Sequence, residues 1–95
     1  MEMFVFTGIL WKENKENKEY SALCPELDVA SQGKTSAEAR KNLFEAATLH
    51  LEGTIEDGLP YLRPIPASED PRNNFPAESL DVFKFKVDVE IKAHA

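Results

Sequence analysis

The end of the chain alternates strictly. Phe83, Phe85, Val87, Val89, Ile91 and Ala93 fall on one side, and Lys84, Lys86, Asp88, Glu90, Lys92 and His94 on the other. A period of two residues is that of a strand with one covered face. Residues 2–11, EMFVFTGILW, predict another strand, rich in β-formers. Both of its alternating sets are largely apolar: Met3, Val5, Ile9 and Trp11 on one, Phe4, Phe6 and Leu10 on the other. Such a strand is expected to be covered on both faces. Gly8 inside it marks a bulge or a close backbone approach. Residues 12–19, KENKENKE, form a polar hairpin connection. Residues 19–24 and 27–32 predict short strands, separated by a turn at Pro25, which cannot donate to a ladder. Three strands joined by short links make an antiparallel meander.

At Thr35 the period changes. Ala39, Leu43, Ala46 or Ala47, and His50 or Leu51 recur at helical spacing, which predicts a helix from about Ser36 to Glu52. Thr35 and Glu38 have the spacing of a capping box, and Gly53 suits a helix stop. Leu43 and Phe44 are expected in or near the core. The alanines predict a helix lying close to the sheet. Residues 54–79 are rich in proline and charge; Tyr61, Leu62 and Ile65 are expected to pack, and 67–78 to form a looser loop. The fold class is therefore α+β: a curved antiparallel sheet in the order β-β-β-α-β, with one helix across a face.

Composition narrows the function classes. The chain has 95 residues, enough for one domain, 1–95, with a modest core. Its net charge is −6, shared evenly between the halves, with no basic patch. Nucleic acid binding uses such a patch to displace counterions from phosphate, so direct binding is not expected. An acidic surface suits a basic protein partner instead. Cys24 is the single cysteine, which excludes an intrachain disulfide and fits a small buried thiol. The start, Met1-Glu2-Met3, has no signal-peptide pattern, and no apolar run reaches 18 residues. A cytoplasmic location is expected.

No catalytic residue, cofactor or metal ligand set stands out. His50 and His94 are the only histidines, without metal-ligand spacing, and His50 is expected to meet the negative end of the helix. There is no phosphate-cradling glycine loop and no nucleophile elbow.

Residues 20–66 carry a more particular pattern. A Pro25-Glu26-Leu27 turn lies between two strands. Gly33-x-Thr35-x-x-Glu38-Ala39 opens the helix, with Asn42, Leu43, Glu45, Ala46, Leu51 and Glu52 along it. Gly58, Pro60 and Pro64-Ile65-Pro66 follow. This order resembles the HicB family of antitoxins, small proteins with a partial RNase H-like fold, over about half the chain. The resemblance implies a protein that binds and occludes HicA, a small basic RNA-cleaving toxin. It also implies an acidic docking surface, for which Glu26, Asp28, Glu38 and Glu45 are the candidates. Active RNase H-like enzymes take a metal-binding carboxylate from the middle of the first strand. Residues 4–10 here hold none, so an enzyme is not expected.

Many HicB-family members also carry a DNA-binding domain after this one. Beyond Pro76 this sequence predicts one strand and no helix, so the chain itself is not expected to bind its operator. The alternative is a stand-alone oligomeric domain with another ligand or a structural role. The last strand is longer than the short strands expected at 19–24 and 27–32, which predicts a homo-oligomer, dimer or tetramer, paired through Val82, Phe83, Phe85, Val87, Val89 and Ile91.

Overall fold

The computed structural model describes residues 2–12 and 19–89. Strands β1 (Glu2–Lys12), β2 (Tyr20–Cys24) and β3 (Val29–Gly33) precede helix α1 (Ser36–Glu56), and strand β4 (Asp81–Val89) closes the described chain. The sheet has four strands in the order β3-β2-β1-β4, and every neighbouring pair is antiparallel. This is the expected α+β meander with one long helix.

One stripe of α1 builds the core. Ala39, Leu43, Ala47 and Leu51, four residues apart, are fully buried. They pack on Phe6, Leu10, Ala22, Cys24, Val87 and Val89, all on one face of the sheet, with Leu27. Two of the four, Ala39 and Ala47, are small enough to let the helix lie close to the sheet. At the helix start the approach is closest: a Cβ on Gly33 would lie 2.4 Å from the Ala39 amide nitrogen. The close approach at Gly8 is a side-chain one. The Phe83 ring covers it so tightly that a Cβ would lie 2.2 Å from a ring carbon, and no bulge interrupts the register.

The helix runs one turn beyond Glu52, through Gly53 to Glu56. Ile55 continues the buried stripe by packing on the core. The stop comes instead at Gly58, whose φ of 69° is the left-handed backbone that ends helices. The cap also differs from a full capping box. Glu38 N donates to Thr35 Oγ1 at 3.1 Å, but the Glu38 carboxylate reaches back to Lys34 N at 3.3 Å, one residue before Thr35.

The connection from α1 to β4 crosses to the other face of the sheet. There it buries Thr7, Ile9, Ser21 and Leu23, and Phe75 stacks on Trp11 with centroids 6.1 Å apart. Residues 67–79 are not loose. They form two single 3₁₀ turns, Ala67–Glu69 and Ala77–Ser79, around a short helix α2 (Pro71–Asn74) that Asp70 caps. Tyr61 and Ile65 are half-buried as expected, whereas Leu62 is exposed, turned away from both layers. Coverage of the second face stops short. Met3 and Val5 remain 60% and 56% exposed, so β1 is covered on both faces only along its later half.

The premise of an outsized last strand does not hold. β4 pairs with β1 along its whole length, from Asp81 opposite Leu10 to Val89 opposite Glu2. β1 is long enough because its early half extends past β2. Ile91 and the rest of 90–95 lie outside the described residues, as does most of the KENKENKE connection.

Candidate interaction surfaces

The Pro25-Glu26-Leu27 turn is densely hydrogen-bonded. The β1–β2 ladder ends at Ile9 opposite Leu23, so the Thr7 amide has no strand partner on that side. The Glu26 carboxylate takes its place. It accepts from Thr7 N at 3.0 and 3.1 Å and from Thr7 Oγ1 at 2.9 Å. Lys84 Nζ donates to the same hydroxyl at 2.6 Å, so Thr7 relays a cation to an anion. The turn's carbonyls hold the crossing segment: Ile65 N donates to Pro25 O at 3.0 Å, and Arg63 N to Glu26 O at 2.8 Å. Beside this lies a cleft of about 210 Å³, lined by Thr7, Glu26, Ile65, Asp70 and Arg72 among others.

The charges in the cleft are paired off. Arg72 grips Asp70 with Nε at 3.0 Å and Nη2 at 2.7 Å, and these hydrogen bonds hold the Asp70 carboxyl below its usual range. Cys24 is fully buried, 3.8 Å from Glu26. Burial, reinforced by that carboxylate, pushes its thiol up to about 12, so it has little thiolate character. These residues clasp the crossing segment to the sheet.

Glu26 is therefore committed inside the chain and is not a free docking carboxylate. Asp28 is exposed at the turn with φ 52°, a conformation that aspartate tolerates. Neither shares a surface with α1's outward face, where the other two candidates lie. At about 100° per residue, Glu38, Glu45, Glu52 and Glu56 fall within about 40° of one another, opposite the buried stripe. All four are exposed. Leu49 stands among them, 70% exposed. Lys41 sits between the first two glutamates, but no lysine or arginine occurs from 42 to 62. Sequence reading had identified Glu38 and Glu45 but not Glu52, Glu56 or Leu49. The signal was present as the seven-residue spacing of Glu38, Glu45 and Glu52, two helical turns each.

The third surface is the outer edge of β4, with which no described strand pairs. Phe83 and Phe85 are half-buried beside it. Phe44 leans on Phe85, centroids 6.5 Å apart, and stays 43% exposed; it sits at the rim, not in the core. Arg40 covers the Phe83 ring and pairs with Asp81. His50 points elsewhere: its Nε2 donates to the Tyr61 carbonyl at 3.2 Å, tying the helix to the crossing segment.

Among the described residues no three histidine, cysteine or acidic side chains gather as a metal site. No described helix is long and apolar enough to cross a membrane. No protein-family model, curated protein or solved structure matches the chain.

Proposed function

We propose that this domain is a HicB-like interaction protein of the cytoplasm. It acts by binding, and it occludes a small basic RNA-cleaving toxin of the HicA type. The observation that carries this reading is the glutamate ridge of α1. Glu52, Glu56 and Asp57 crowd the negative end of the helix, and its last turn has no basic residue. Each such anion costs stability, typically about 0.3–1 kcal/mol at a helix C-terminus. A basic partner relieves that cost on binding. A toxin that holds RNA must present cations to phosphates, and a row of carboxylates competes for those cations.

The test is capture of the domain from its native cell, with identification of a small basic protein. That protein should cleave RNA alone and stop when the domain is added. The double variant Glu52→Lys, Glu56→Lys should fold at least as stably as the parent and fail to inhibit. A charge-reversed variant that inhibits as well as the parent would remove the ridge from the mechanism. The second reading, a stand-alone oligomeric domain, is favoured by the open β4 edge.

A further inference from the structure

The cleft beside the Pro25 turn keeps unspent polar capacity of both signs. An arginine side chain carries five N–H donors. In Arg72, Nε and one hydrogen of Nη2 reach Asp70. Among the described residues the remaining three have no acceptor, and the side chain is 45% exposed. Capping of α2 does not call for this arginine side chain, because Asp70 caps through Arg72 N, at 2.8 Å. What the extra bonds do is fix the guanidinium against a buried carboxylate. A fork held along one edge is preorganised to grip a second carboxylate with its free end.

Glu26 is the complement. It meets Lys84 only through the Thr7 hydroxyl, and its own donors at Thr7 are neutral. Neither ion pair among the described residues includes it. Asp70, chiefly through its hydrogen bonds, and Glu26 more weakly hold the Arg72 guanidinium in its charged form, so Glu26 and Arg72 sense each other across the cleft. Pro25, Pro64 and Ile65 complete the lining. They offer an apolar wall: a proline has no N–H, and Ile65 N is spent on Pro25 O.

We propose that this cleft binds a small apolar α-amino acid. Its carboxylate would take the free end of Arg72, its ammonium would face Glu26, and its side chain would rest on Pro25, Pro64 and Ile65. This inference goes beyond the toxin-binding reading and does not rest on it.

Size and charge select the ligand. The cleft holds about 210 Å³, less than the roughly 300–1,000 Å³ of drug-sized sites, which suits a molecule of amino-acid size. A simple carboxylic acid would satisfy Arg72 but bring a third negative charge beside Glu26 and Asp70. A simple amine would satisfy Glu26 and leave the Arg72 donors unused. A zwitterion with both groups on one carbon answers both. A polar side chain would lose its hydration against a wall that returns no hydrogen bond.

The test uses leucine as the probe, with calorimetry and amide NMR on the whole domain. Leucine should bind at about 1 mM or tighter, within the limit for so small a ligand, and raise the melting temperature as it saturates. The shifted amides should centre on Thr7, Glu26, Ile65 and Arg72. N-acetyl-leucine lacks the ammonium and leucinamide lacks the carboxylate. Each should bind about tenfold more weakly or worse, the loss of a hydrogen bond to a charged group. Arg72→Lys keeps the charge but not the fork, and should weaken leucine binding similarly, with circular dichroism confirming the fold. The two blocked ligands decide the matter on the parent domain, whatever the variant does. No binding of leucine up to about 10 mM overturns the proposal, since that is tenfold beyond the expected affinity. So does equal binding of either blocked ligand, a folded Arg72→Lys that binds as the parent does, or shifts centred elsewhere, as on Met3 and Val5.

Discussion

Thr7 has a buried amide that its own ladder cannot satisfy. Pro25 sits where the next strand residue would be, and its carbonyl is already taken by Ile65. Glu26 supplies the missing acceptor, so its removal should cost what a buried unsatisfied amide costs, about 1–3 kcal/mol. Glu26→Ala should lose that much in denaturant titrations, and Glu26→Gln, which keeps an acceptor, should lose less. Equal stability of Glu26→Ala and the parent would show that the clasp contributes nothing. Asp70 gives a pH signature. Arg72 lowers its folded pKa, so the contribution is present above the unfolded value of about 4 and is lost as pH falls through the folded value. Melting temperatures should drop steeply below about pH 4 in the parent and less steeply in Asp70→Asn. Parallel slopes would assign the acid sensitivity to other carboxylates. Neither role was legible in the sequence: Glu26 answers an amide 19 residues earlier, exposed only where the β1–β2 ladder ends, and Asp70 caps a four-residue helix too short to show a helical period.

Helix α1 was legible where its own period decided the matter. The residues that alternate at helical spacing are the buried ones, and Thr35 caps the start. The far end was misplaced because two glycines compete for the stop, and only the structure shows which takes a positive φ. This gives two substitutions of opposite sign. Gly53 is helical, and a Cβ there meets nothing within 4 Å. Gly53→Ala should stabilise by about 0.5–1 kcal/mol, the usual difference between these residues inside a helix. Gly58→Ala should destabilise, because its φ of 69° strains any side chain. Thermal melts read both, and a destabilised Gly53→Ala would place the helix end back at Glu52. The same misplacement hid part of the candidate surface. With the helix ended at Glu52, Glu56 had no face to share with Glu38 and Glu45. For β4 the alternation was read correctly, but its partner was not. Strand lengths alone do not say that β1 extends past β2 to pair with all of it.

At the scale of the whole molecule, charge separates the two proposed associations. The net charge of −6 is distributed unevenly in space: the outward face of α1 is acidic beyond Lys41, while the outer face of β4 mixes Lys84 and Lys86 with Asp88. A basic toxin drawn to the ridge gains from attraction between exposed charges, which ions screen over about 10 Å at 0.1 M salt. Its affinity should therefore fall as salt rises. Self-pairing brings together two chains of like charge through a seam of phenylalanine and valine, so its affinity should rise. One titration series reads both. Sedimentation of the domain alone should show the dimer strengthening with salt, and calorimetry with the toxin should show the complex weakening. Glu52→Lys with Glu56→Lys should abolish the second dependence. It should also strengthen the dimer, because each copy moves toward neutrality. A complex indifferent to salt would remove the ridge as its docking site even if the dimer behaves as expected. A dimer that salt dissolves would mean that ion pairs, not the apolar seam, hold it.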